Sequence, residues 1–237
     1  MRFIIKIILL ISPLSLFAQN ADSVKKVVPK EKKSFIPTGI RVGIDAVSLI
    51  RTSIGKDFSG YEFNADVDFY RYYLTTEIGH WERNFATDEE QYRNDGNYFR
   101  IGADINFLLK DPDKNMFFFG MRYAKSSYSE YLTLTTEDAV WGPSTTNYSN
   151  ENLHATWGEF TTGLRVKMWK FFWMGYTARL KFRLRTDAPE ELISYDVPGY
   201  GKVGQDNTTW GFNYQILFRI PFKKEKAIKK EDPGKAD

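Results

Sequence analysis

His80 and His154 are the only histidines in the chain, and it has no cysteine. The absent thiols exclude disulfides, zinc–thiolate sites, iron–sulfur clusters and cysteine nucleophiles together. Two histidines are too few for a histidine-rich metal site, so neither a metal nor a cofactor is expected. A histidine acting with a hydroxyl and a carboxylate is one set that could carry acyl transfer or hydrolysis. Ser126, Ser127 and Glu82 are the candidate companions, although no spacing fixes a triad. Arg179, Lys181, Arg183 and Arg185 recur at every second position, a pattern suited to a narrow polar conduit or a small-anion site. No phosphate loop, nucleophile elbow or calcium loop occurs. Lys and Arg total 33 against 30 Asp and Glu, a near-balance that argues against a nucleic-acid-binding surface.

The elements that must position these residues repeat one pattern. From Thr38 onward apolar and polar side chains alternate over long stretches, the period of a strand with two unlike faces. Eight such segments are expected: 38–50, 61–70, 72–83, 98–109, one from Met116 through Tyr128 towards Leu134, 154–168, 171–185 and 208–222. The seventh is the sharpest, setting Phe172, Met174, Tyr176, Ala178, Leu180, Phe182 and Leu184 against Trp173, Gly175, Thr177, Arg179, Lys181, Arg183 and Arg185. Strands of soluble sandwiches average about 5–6 residues, whereas a tilted strand crossing a bilayer needs about 9–11. The links also alternate. Those near Arg71, at 110–115 and at 169–170 are short, and those at 51–60, 84–97, 129–153 and 186–207 are long and polar. The expected fold is therefore all-β, an eight-stranded antiparallel up-and-down transmembrane β-barrel with short periplasmic turns and long extracellular loops. Trp81, Tyr98, Tyr128, Tyr131, Trp157 and Trp210 near the long loops, and Tyr72, Tyr73, Trp169, Phe171 and Phe172 near the short turns, fit two interfacial aromatic belts.

An eight-stranded barrel is just wide enough for side chains to fill it. Strand parity turns Arg41, Arg100, Arg122, Arg165, Arg179, Lys181 and Arg183 inward with Asp45, Glu62, Asp66, Asp68, Glu77, Asp104 and Glu159. Buried charges are costly unless paired, so a lumen packed with ion pairs is expected. Lys167, Arg185 and Arg219, near strand ends, are left out of that set. Gly43, Gly79, Gly102, Gly120, Gly163, Gly175 and Gly211 share the inward face and would make room for arginine side chains. Gly199-Tyr200-Gly201 reads as a flexible turn in the last long loop.

Residues 1–18 have a positive start at Arg2 and Lys6, an apolar stretch and Ala18 before Gln19, the layout of a secretory signal peptide. Its removal takes the formal charge from +3 to +1. Residues 19–37 read as a disordered periplasmic segment, 38–222 as the barrel and 223–237 as a Lys-rich periplasmic tail.

The Phe17-Ala18-Gln19 leader end, the eight alternating segments and the abundant aromatics resemble the small outer-membrane β-barrel proteins of Bacteroidota-type bacteria. Residues 35–45, FIPTGIRVGID, are similar to the first strand of a family of such barrels of unknown function. The resemblance spans about 35–222 and carries no catalytic residues. It implies an outer-membrane location with both termini in the periplasm, contact with outer-membrane lipids, and association with a lipoprotein or larger outer-membrane complex. The expected function is a non-catalytic structural or accessory subunit. The alternatives are a barrel enzyme that modifies lipid A acyl chains, using His80 or His154, and a narrow channel or anion-binding barrel.

Overall fold

The period-two rows form strands. The computed structural model describes residues 35–109, 111–138, 140–187 and 194–222. Eight long strands lie antiparallel in one ring: β1 (Gly39–Asp45), β2 (Phe58–Phe69), β3 (Tyr72–Ala86), β4 (Glu90–Asn106), β5 (Met116–Asp138), β6 (Gly142–Trp169), β7 (Phe172–Thr186) and β10 (Thr208–Pro221). Two short strands, β8 (Asp196–Val197) and β9 (Gly201–Lys202), make a separate hairpin. From β1 to β7 each strand pairs with its successor, β7 pairs with β10, and β10 returns to β1 with Gly39 opposite Pro221. Among the described residues no helix is long and apolar enough to cross a membrane. The expected leader (1–18), nearly all of the 19–37 segment and the 223–237 tail lie outside the described residues.

The first expected segment is a strand for only part of its length. β1 stops at Asp45, and helix α1 (Ala46–Ile54) follows. Asp45 caps that helix: its carboxylate accepts from the Ser48 backbone N–H at 3.0 Å and from the Ser48 hydroxyl at 2.6 Å. Such a cap satisfies donors that the helix start leaves open.

The long links differ more. Two of the expected loops, 84–97 and 129–153, are largely strand, because β4 starts at Glu90 and β5 and β6 run on to Asp138 and Gly142. Beyond Thr135, whose N–H still donates to the Glu89 carbonyl, β5 pairs only with β6, so this hairpin outreaches the ring. Beyond Leu134 most of its described residues are polar, with Val140 and Trp141 the exposed exceptions. Such segments meet water on both sides, and alternation fades where no face has to be apolar.

Burial alternates along the strands with the charges inside. Arg179 and Glu77 are each 1% exposed, whereas Phe212 is 67% and Met121 62% exposed. The outer wall carries Phe63, Ile78, Ile101, Phe119, Phe160 and Phe218, all exposed. At the short-turn end the inside also holds apolar side chains, Tyr73, Met116, Phe118, Trp173 and Leu217, beside the buried Asp68 and Arg219.

Candidate functional site

The inward residues of successive strands stack into tiers of carboxylates and guanidiniums. In the upper tier Arg100 reaches Glu62 at 2.7 Å, Glu77 at 2.9 Å and Glu159 at 3.0 Å. Arg179 reaches Glu77 and Glu159, each at 2.8 Å. These five side chains come from β2, β3, β4, β6 and β7, so the tier ties strands across the ring. Tyr98 donates its hydroxyl to Glu62 at 2.7 Å, and the Trp157 indole N–H donates to Glu159 at 2.7 Å. The next tier pairs Arg41 with Asp66 at 2.8 Å, Arg165 with Asp66, and Arg122 with Asp104 at 2.7 Å. Nearest the short turns, Asp68 accepts from the Thr38 and Gly39 backbone N–H groups and meets Arg219 at 3.3 Å. Desolvating so many charges is favourable only when each keeps opposite charge and hydrogen bonds around it, which this arrangement supplies.

Thirteen of the fourteen charges expected inside are buried. Arg183 is the exception. It is half-buried at the long-connection end and donates to Asn207 Oδ1 at 2.6 Å. Asp45 is buried but serves as a helix cap and accepts from the Tyr214 N–H at 2.9 Å instead of pairing with a cation. Arg219, set aside as a strand-end residue, belongs to the buried set at 7% exposure. Its parity with Gln215 and Leu217 was the available signal. The basic run of β7 is not a free anion site, because Arg179 is held by carboxylates and Lys181 by carbonyl oxygens.

Those carbonyls belong to the β8–β9 hairpin, which folds into the long-connection end of the ring. The Lys181 ammonium donates to the Gly199 oxygen at 2.8 Å and the Tyr200 oxygen at 2.9 Å, and Arg100 donates to Gly199 at 2.9 Å. Asn94 donates to the Asp196 carbonyl at 2.6 Å, and Arg83 meets the Asp196 carboxylate at 2.8 Å. Val197 and Tyr200 pack with Tyr98, Ala124, Tyr128, Leu153, Ala155 and Trp157. The Gly199-Tyr200-Gly201 turn expected to be flexible is thus a buried contact surface. Gly199 (φ +81°) and Gly201 (φ +111°) lie in the left-handed region, and a Cβ at Gly199 would collide with the Tyr98 ring.

The same packing corrects the aromatic belts. Tyr98, Tyr128, Trp157 and Tyr73 point inside and are buried; Trp81 is half-buried with its ring against Phe58 and Tyr98. Tyr131, Trp210, Tyr72, Trp169 and Phe171 do face outward. The inward glycines accommodate more than arginine: Gly79 lies under the Tyr98 ring and Gly163 beside Phe118, while Gly175 adjoins Arg165 and Gly211 adjoins Lys181.

Two carboxyl groups at the hairpin lack the pairing density of the tiers. Burial raises the Glu130 carboxyl above its ordinary range although Tyr92 donates to it at 2.7 Å. Burial likewise raises Asp196, against the opposing pull of Arg83. The hydroxyl of Tyr92 is raised as well, first by burial.

His80 and His154 do not converge with one another. Both lie outward, on β3 and β6, separated by Asn97 and Ser127 in one cross-strand row. His80 Nδ1 is 3.2 Å from Asn97 Oδ1, and its Nε2 is 3.7 Å from Asp95. Ser127 sits opposite His154. Ser126 faces inward and donates to the Asn97 carbonyl, and Glu82 pairs with Arg93. Asp187 engages His154 through the backbone N–H, at 2.9 Å. Among the described residues no hydrogen bond joins Ser127 to the His154 ring, and no group of three or more His, Asp or Glu residues could hold a metal ion.

An all-β ring with charged tiers inside and apolar rows outside is the class the geometry defines. The chain belongs to the family described as a domain of unknown function (DUF6048), which matches residues 1–225. No curated protein and no solved structure matches it.

Proposed function

We propose that the ring is a barrel spanning the outer membrane of a Bacteroidota-type bacterium, sealed inside and acting as a non-catalytic structural or accessory subunit. The inversion of burial carries this reading: rows of Phe, Ile and Met face outward while Arg and Glu fill the interior. Water would not favour that outer surface, whereas hydrocarbon would, and a ring leaves no unpaired strand edge in lipid. Both ends of the interior are occupied, by the β8–β9 hairpin at one end and by Tyr73, Met116, Phe118, Trp173 and Leu217 at the other. That filling favours a scaffold over a conduit. The β5–β6 hairpin, with Trp141 88% exposed near its tip, offers a surface to a lipoprotein or a larger outer-membrane complex.

The test is fractionation followed by gentle solubilisation. The protein should sediment with outer membranes, resist alkaline carbonate and bring a second protein through a mild-detergent pull-down. A compact monomer that stays in buffer after ultracentrifugation without surfactant would refute the membrane assignment. Recovery of the protein alone would refute the accessory role. The lipid-modifying alternative has the Ser127–His154 juxtaposition in its favour, and an unchanged lipid A acyl profile on deletion would eliminate it.

A further inference from the structure

Outward residues of five adjacent strands form two neighbouring rows that differ in chemistry. One runs Tyr61, His80, Asn97, Ser127, His154, each opposite the next. The row beside it, nearer the short turns, runs Phe63, Ile78, Phe99, Lys125, Thr156. The border between polar and apolar wall therefore crosses β2 to β6 at this level. A groove of about 440 Å³ lies on that border, within the ~300–1,000 Å³ usual for small-ligand sites. Tyr61, Ile78 and Phe99 line its apolar part, and Asn97, Ser127 and His154 its polar part.

Lys125 also lines the groove, and no carboxylate does. It is exposed on the outer wall, in the same row as Phe99. No ion pair or hydrogen bond engages its ammonium among the described residues. The inward cations of the tiers, by contrast, are held by carboxylates. A lipid-facing Lys is destabilising in a barrel wall, increasingly so toward the midplane, unless its ammonium reaches an interface or an opposite charge. An anionic amphiphile satisfies both halves of the groove at once.

We propose that this groove holds one membrane lipid with an anionic phosphoryl head group. Its acyl chain lies against Tyr61, Ile78 and Phe99, and its phosphoryl oxygens meet Lys125, with Ser127, Asn97 and His154 as neighbouring polar groups. The proposal rests on the membrane-spanning reading and adds the lipid class and its seat.

The test uses full-length protein, with Lys125→Gln and, as a control at the opposite end of the wall, Lys170→Gln. Each is delipidated and inserted into phosphatidylcholine vesicles with or without a minor fraction of phosphatidylglycerol. It is then released in mild detergent and weighed by native mass spectrometry. Wild type and Lys170→Gln should each retain one phosphatidylglycerol. Lys125→Gln should insert equally well but retain about tenfold less, the scale of one lost charge-assisted contact. Equal retention by Lys125→Gln, equal loss by Lys170→Gln, or equal retention of phosphatidylcholine would overturn the groove while leaving the membrane reading intact. A two-chain mass without lipid would also overturn it, assigning the groove to a second copy. Failure of wild type to insert at all would overturn both.

Discussion

Lys181 of β7 donates its ammonium to the Gly199 carbonyl oxygen at 2.8 Å, which fastens the β8–β9 turn to the wall of the ring. Arg100 reaches the same oxygen at 2.9 Å, so that one carbonyl links the plug to the upper ion-pair tier.

Lys181→Met should loosen the plug without dismantling the ring. Hydrogen bonds to a charged group contribute about 1.5–3 kcal/mol, and the Tyr200 carbonyl would lose the ammonium it accepts from. Limited proteolysis should then cut near residues 194–203 at a rate well above wild type, and planar-bilayer recordings should show small currents where wild type shows none. Gly199→Ala should give the same phenotype, because it forces a Cβ against the Tyr98 ring at a left-handed φ.

Glu77→Gln should be among the most damaging single changes. It removes the charge that Arg100 meets at 2.9 Å and Arg179 at 2.8 Å. Breaking one side of a buried pair costs about 3–5 kcal/mol. A urea titration of the reconstituted protein should show the midpoint falling sharply, while Phe218→Leu on the outer wall should leave it nearly unchanged.

Ile101→Arg separates the two possible solvents of the outer wall. Ile101 is 46% exposed between Thr76 and Tyr123. On a water-facing surface such a change falls within about ±0.5 kcal/mol; near a bilayer midplane it costs about 2–4 kcal/mol. The expected outcome is a large loss of vesicle insertion. Insertion at the wild-type level would count against hydrocarbon contact at this row.

The docking of the plug should weaken as pH rises. Glu130 and Asp196 both have carboxyls raised by burial, so the folded form binds protons more tightly than the unfolded form. The associated stability is fully present below the unfolded carboxylate value of about 4 and is lost as pH climbs through the raised folded values. Hydrogen exchange at the 194–203 amides, corrected for intrinsic rate, should be slower at mildly acidic than at mildly alkaline pH. Glu130→Gln, which mimics the protonated acid, should flatten that dependence.

Strands were legible where the two faces differ. β2 and β7 have expected and observed ends within three residues because their rows alternate without interruption. The outer parts of β4, β5 and β6 were not, since Glu90 to Asn94 and Thr135 to Glu137 carry polar side chains on both faces. The charged tiers follow from parity alone, and Tyr98 shares the parity of Arg100. Its burial was missed because its ring chemistry also suits an interface. The plug was not read from the sequence: several of its anchors are the carbonyls of Asp196, Gly199 and Tyr200, which carry no residue-type signal. The Asp45–Ser48 spacing at the start of α1 was a readable cap inside an otherwise persuasive strand pattern.

The seam between β1 and β10 joins Gly39 to Pro221, nearly opposite ends of the described sequence. Contacts so distant along the chain form late and slowly, and until β10 emerges both β1 and the newest strand present bare edges that invite wrong partners. Biogenesis of this polypeptide must therefore keep a nearly complete sheet from sticking to its neighbours until its final fourteen-residue strand is available to pair with the first.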